Sequence, residues 1–145
     1  MKSVNPYLNF DGNTLEAFQF YKSVFGGDFG FIARFRDLGD NMGASGDELD
    51  RIAHISLPIA ENTLLMGTDL TSSMPVTLNQ GNNFYITLGP DDRAEAERLY
   101  GALSAGGEIE MGGAETEWAE YYASFRDKFG VQWMINYEGS KRMAG

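Results

Sequence analysis

The strongest constraint on the fold of this chain is an internal repeat punctuated by two glycine pairs, Gly26-Gly27 and Gly106-Gly107. Before the first pair runs Glu16-Ala17-Phe18-Gln19-Phe20-Tyr21-Lys22-Ser23-Val24-Phe25; before the second runs Glu95-Ala96-Glu97-Arg98-Leu99-Tyr100-Gly101-Ala102-Leu103-Ser104-Ala105. Both read Glu-Ala, an apolar residue and Tyr, another apolar residue, then Gly-Gly and an acid, with one inserted residue in the second copy. A repeat on this scale means one supersecondary unit used twice. Ala17, Phe20, Tyr21, Val24 and Phe25 fall at helical spacing in the first copy, as do Ala96, Leu99, Tyr100 and Leu103 in the second. Each segment therefore predicts a helix with one buried face. Asn13 or Thr14 is placed to cap the first helix, Pro90-Asp91-Asp92 suits the start of the second, and the glycine pairs supply the left-handed backbone that ends a helix.

The segments around the helices read as strands. Residues 4–10 precede the first helix and 83–88 the second; 29–35 and the weaker 108–111 follow them. Two hairpins complete the copies, 52–59 with 62–67, turning at Ala60-Glu61, and 119–125 with 131–136, turning at Asp127-Lys128-Phe129-Gly130. The order is β-α-β-β-β, twice: a module of residues 1–70, a polar linker 71–81 and a module of residues 82–138, expected to make one α+β domain over residues 1–145. The loop from Asp37 to Asp50, with Gly39, Gly43 and Gly46, is too polar for core and reads as a mobile flap or surface insertion.

Composition narrows the partners. Of 145 residues 43% are hydrophobic, enough to bury a core, and the net charge of −10 repels nucleic acid and anionic lipid alike. With no cysteine there is no disulfide, thiolate nucleophile or zinc-thiolate site, and a single histidine, His54, excludes multi-histidine metal sites within one chain. No apolar run approaches the roughly 20 residues of a membrane-spanning helix. A soluble cytoplasmic protein without membrane or nucleic-acid partners is expected.

Five fragments, in order, carry a family resemblance: Asn5-Pro6-Tyr7-Leu8-Asn9-Phe10-Asp11-Gly12-Asn13; Ala17 through Phe20-Tyr21 to Phe25-Gly26-Gly27; Ile52-Ala53-His54; Leu65-Met66-Gly67-Thr68-Asp69; and Trp118 through Asp127-Lys128-Phe129-Gly130-Val131-Gln132-Trp133-Met134-Ile135-Asn136. With the paired βαβββ pattern they resemble the vicinal oxygen chelate superfamily of glyoxalase I, extradiol dioxygenases and bleomycin-resistance proteins, and within it the PhnB-like branch. The resemblance implies two βαβββ modules forming a curved mixed-sheet cup, and a homodimer. Some members of the branch carry a methyltransferase label. The run Gly26-Gly27-Asp28-Phe29-Gly30 does not support it, because it follows a helix, whereas a nucleotide loop follows a strand and opens a helix.

Metal-dependent relatives hold a divalent ion with one side chain from the first and one from the fourth strand of each module. The equivalent positions fall near Pro6, Met66, Asn83 and Met134, none a good donor for a hard or borderline cation, and the neighbours Tyr7, Leu65, Phe84 and Trp133 do not rescue the set. No metal and no cofactor are expected. Strict alternation puts His54 with Ile52, Ser56 and Pro58, opposite Ala53, Ile55 and Leu57, and puts Phe84, Ile86 and Leu88 on the helix-packed face of their strand. His54 is either a cavity-lining base or donor, or a histidine hydrogen-bonded within the sheet or at a dimer seam. A ligand-binding surface would display Asn9, His54, Met66, Asn83, Tyr85, Gln132 and Met134, apolar walls with a few amides and hydroxyls suited to a weakly polar organic molecule. Trp118, in an aromatic cluster with Tyr121, Tyr122 and Phe125, is a further ligand-stacking candidate or a packing residue. Asp69 and Asp127 read as turn caps. With no Gly-x-Ser-x-Gly elbow there is no hydrolytic triad, and no catalytic residue is assigned. The expected function is metal-independent binding of an unidentified small organic molecule. The alternatives are a divalent-metal-dependent lyase, isomerase or dioxygenase of the glyoxalase type, and a purely structural module with a filled cup.

Overall fold

The computed structural model describes residues 1–141, in two units that divide between Asn79 and Gln80. In the first unit, strand β1 (Tyr7–Phe10) leads into helix α1 (Thr14–Phe25), then β2 (Phe31–Arg34), two 3-10 turns (Phe35–Asp37 and Gly46–Asp50), β3 (Ile52–Ala60) and β4 (Thr63–Asp69). The second runs β5 (Ile86–Leu88), helix α2 (Arg93–Ser104), β6 (Glu108–Ala114), β7 (Tyr121–Arg126) and β8 (Gln132–Tyr137). Each unit is βαβββ, and the sheets match: β1-β4-β3-β2 and β5-β8-β7-β6. In each, the first strand pairs in parallel with the fourth while the remaining pairings are antiparallel.

Helix α1 buries Thr14, Ala17, Phe18, Tyr21 and Val24. This shifts the expected stripe: Phe18, fully enclosed, replaces Phe20 and Phe25, which are only partly buried. The cause is Gly67 on β4, where an added Cβ would come within 2.7 Å of the Phe18 ring, so the missing side chain makes the recess that the ring fills. Helix α2 buries Ala96, Leu99 and Leu103 as expected and rests Tyr100 edge-on against Tyr121 and Phe125. Its N-cap Asp92 accepts the Glu95 N–H at 2.8 Å, and Glu95 accepts the Asp91 N–H at 2.9 Å, a reciprocal closure of the first turn. Helix α1 has no such cap from Asn13. Asp69 at the end of β4 supplies it instead: Oδ1 accepts Gly12 N–H (2.9 Å), Thr14 N–H (3.1 Å) and the Thr14 hydroxyl (2.6 Å), while Oδ2 accepts Ile52 N–H (2.9 Å).

Two strand expectations need correction. Ile52 does not share a face with His54: the β2–β3 register slips between Ala33/His54 and Arg34/Ile52, and Ile52 is enclosed while His54 is half-exposed. A bulge of this kind inverts the alternation for everything before it. Strand β5 is also shorter than expected, starting at Ile86, so Asn83 and Phe84 precede it and Phe84, assigned to core, is 64% exposed. As an edge strand β5 has only β8 to bond to, beginning at Gln132, so earlier residues have no ladder to join. The 37–50 loop is tied down as a surface insertion: Arg36 Nε bonds Asp50 (2.9 Å), Glu48 accepts the Ser72 N–H (2.8 Å) and hydroxyl (2.9 Å), and Ala44 is buried.

Candidate functional site

In the first unit the helix covers the sheet face carrying Leu8, Phe10, Ile55, Leu57, Leu65 and Gly67. By strand alternation and register, the uncovered face carries Tyr7 and Asn9 from β1, Met66 and Thr68 from β4, His54 and Ser56 from β3, and Phe31 from β2. Three of the sequence candidates, Asn9, His54 and Met66, are thus on one surface. At its centre the Tyr7 hydroxyl and His54 Nδ1 are hydrogen-bonded at 3.0 Å. The imidazole lies between two rings, 5.6 Å from Tyr7 and 5.6 Å from Phe31 by centroid. Tyr7 and Phe31 are 47% and 53% exposed, so the cluster is reachable from solvent. Burial of the phenol pushes the Tyr7 pKa up, keeping it a neutral hydrogen-bonding group across the physiological range. The Thr68 hydroxyl is turned to the Ile52 and Ala53 carbonyls, at 3.2 Å and 2.8 Å, where it holds the bulge. Tyr7 was legible from Asn9, two residues along the same strand; Phe31 needed the β2–β3 register.

In the second unit Trp133, Ile135, Ala123 and Phe125 are fully buried on the α2 side. Gln132, Met134 and Asn136 of β8 face the other way, beside Tyr122, Ser124 and Arg126 of β7. Tyr85, one step before β5, is level with Gln132 by extension of the Ile86–Trp133 register. Its hydroxyl donates to Glu110 Oε1 at 2.7 Å, and this bond to a carboxylate is the main reason its pKa is raised. Thr87 points its hydroxyl at the Met134 sulfur, 3.8 Å away. Arg126 Nη2 donates to Gln132 Oε1 at 3.2 Å and to the Gly81 carbonyl at 3.1 Å. Among the described residues, Gln132 Nε2 and Asn136 Oδ1 are buried without a hydrogen-bond partner. Tyr85, Gln132 and Met134 are therefore brought together, whereas Asn83 is exposed and stands apart. The expected aromatic cluster divides between the two faces: Tyr121 and Phe125 pack on α2, while Trp118 meets Tyr122 edge-on at 5.2 Å on the uncovered side. Glu110 was not a candidate because its strand was read as short and weak.

The strand register moves two of the four positions implied by metal-dependent relatives. Tyr7, not Pro6, pairs with Met66, and Thr87, not Asn83, pairs with Met134. A phenol, two thioethers and a hydroxyl remain a poor set for a divalent cation, and among the described residues no group of three or more His, Asp or Glu is placed to hold a metal ion. Anionic cofactors are served no better at the two strand-to-helix turns. The N–H groups of Gly12 and Thr14 already bind Asp69, and α2 is closed by Asp92 and Glu95. The run from Gly26 to Gly30 ends α1 and leads into β2, with Gly26 N–H bonded back to the Lys22 carbonyl at 2.8 Å. Two surface grooves, a polar one of about 520 Å³ beside Gly89, Glu120 and Ser140 and a mixed one of about 210 Å³ beside Arg51, Val76 and Thr77, lie among turns. The first is bordered by Asn136 at one end; neither is lined by any of the eight sequence candidates.

Residues 2–136 match the family model described as 3-demethylubiquinone-9 3-methyltransferase. Protein YjdN of Escherichia coli strain K12 is 30% identical over 141 residues, covering 92% of this chain and 93% of its own length. Among solved structures, protein PA1353 from Pseudomonas aeruginosa is 36% identical, with a TM-score of 0.82 over 94% of this chain and 97% of that one. A PhnB protein from Bacillus cereus (22% identity, TM-score 0.67, 92% and 98% covered) and a glyoxalase/bleomycin resistance protein from Albidiferax ferrireducens T118 (15%, 0.58, 96% and 98%) share the fold. Among the described residues no helix is long and apolar enough to cross a membrane.

Proposed function

Because the chain belongs to the 3-demethylubiquinone-9 3-methyltransferase family, the PhnB-like branch of the glyoxalase/bleomycin-resistance fold, we propose that it binds a small, weakly polar organic molecule on its uncovered sheet faces, without a metal ion and as a homodimer. The observation that carries this reading is the His54 cluster. The only histidine of the chain is held at Nδ1 by Tyr7 and flanked by a second ring, Phe31, on a face where large apolar side chains meet solvent. Fixing Nδ1 leaves Nε2 as the second hydrogen-bonding atom of the ring, and the rings supply apolar contact area. In the second unit Tyr85, Gln132, Met134 and Trp118 add the same mixture, while Asn83 is not part of it. The methyl transfer in the family's name finds no support in the glycine run, which closes a helix, nor at the helix N-termini, which bind carboxylates of the chain itself.

The test uses the single histidine as a reporter. Uncharged aromatic probes are expected to raise the melting temperature and to shift the His54 imidazole resonances, with His54→Ala losing both, and elemental analysis of protein purified without chelator is expected to find no stoichiometric metal. Stoichiometric zinc, nickel, manganese or iron, lost with activity in His54→Ala, would establish the lyase, isomerase or dioxygenase reading instead.

A further inference from the structure

Gln132 is buried, with 4% of its surface exposed, and its amide is only half satisfied. Arg126 Nη2 donates to Oε1, and this fixes the orientation of the amide, because turning it over would set an NH₂ group against a guanidinium donor. Nε2 is thus the free end. Tyr85 stands beside it, and the amide works against the rise in the phenol's pKa, yet among the described residues Nε2 makes no hydrogen bond of normal geometry and the Tyr85 hydroxyl hydrogen goes to Glu110. A buried donor left unmade is costly, and native structures keep such groups where something else completes them. Along the same face of β8 comes Met134, then Asn136, whose cross-strand neighbour Tyr122 meets Trp118.

Resting on the binding role argued above, we propose that Gln132 selects the ligand: its Nε2 donates to a carbonyl or carboxylate oxygen of the bound molecule, whose apolar body lies along Met134 toward Tyr122. The ligand class is then an oxygen acceptor on an apolar or aromatic frame, and a molecule of the same shape without the oxygen leaves the donor unpaired. Discrimination between two such molecules measures the bond directly.

The experiment compares acetophenone with α-methylstyrene, which replaces the carbonyl oxygen by CH₂. Labelling the glutamine side chains with ¹⁵N gives three amide pairs, Gln19, Gln80 and Gln132, of which the first two are controls for folding. Acetophenone is expected to shift the Gln132 pair and to bind about tenfold more tightly than α-methylstyrene, the ratio one neutral hydrogen bond supplies. Gln132→Glu, which keeps an oxygen for Arg126 and removes the donor, is expected to abolish that preference, as is Gln132→Met. Equal affinity for the two probes, an unmoved Gln132 pair in the acetophenone complex, or an undiminished preference in Gln132→Glu would overturn the assignment. A shift at His54 with none at Gln132 removes this inference and leaves the proposed function standing; no shift at either removes both.

Discussion

Asp69 and Asp127 show how single buried carboxylates organise the two units. Asp69, 1% exposed, receives four donors from the β1–α1 turn and from β3. Asp127, 2% exposed, receives the Phe129 and Val131 N–H groups and the Trp133 indole at 2.8 Å, locking the β7–β8 turn to the core. Their reading as turn caps was available because short acids beside turns do this; that Asp69 reaches across 55 residues to cap a helix was not. Asp69→Ala is expected to cost about 3 kcal/mol in urea unfolding, since it strands several buried donors together, and Asp69→Asn distinctly less, since Oδ1 still accepts. Tyr7 gives a second prediction. Its pKa is raised by burial, so the folded state keeps the phenolic proton at pH values where the unfolded chain has lost it. Stability from this source is complete below the ordinary phenol value of about 10 and declines as pH rises above it. Tyr7→Phe is therefore expected to flatten the fall of melting temperature with pH above about 10, and an unchanged slope would refute the assignment.

At the scale of elements, the glycine pairs that reveal the repeat serve different ends. Gly26 and Gly27 have φ of 80° and 76° with open space around them, a positive-φ backbone that favours glycine; Gly26, with ψ of −170°, stops the helix in an extended conformation rather than the left-handed helical one expected. Gly106 also has a positive φ, 77°, but Gly107 is required by proximity: a Cβ there would stand 2.1 Å from the Arg126 carbonyl oxygen, where β6 begins beside β7. Gly26→Ala is thus expected to cost about 1 kcal/mol and Gly107→Ala about 3 kcal/mol or more, measured by denaturant unfolding. Comparable losses would mean that β6 can move away from β7. The helices were legible because their apolar spacing is a local property. Which residues of α1 go inside was set by Gly67 on another element, and the face of Ile52 by a bulge that pairing with β2 imposes.

For the whole molecule, the net charge of −10 favours solubility and opposes nucleic acid, yet leaves apolar edges. Ile109 and Met111 on β6 and Phe31 and Ile32 on β2 are each more than 40% exposed, on strands that end their sheets. A homodimer is expected to cover such edges, and light scattering during gel filtration should give twice the 16.0 kDa chain mass at micromolar concentration; a monomer mass would remove that part of the proposal. The repeated βαβββ order, both helices, the α+β class and the family resemblance were all determined by the sequence, because spacing, helix stops and turn residues act over a few positions. So was the poverty of metal donors, which depends on which side chains exist. Tertiary structure decided the site. Strand pairing set Tyr7 against His54 and Phe31, and ended β5 short of Asn83. It also sent Tyr121 and Tyr122 to opposite faces and left Gln132 Nε2 without a partner among the described residues. Those outcomes depend on register between strands far apart in the chain, and a one-residue slip reverses the face of every side chain.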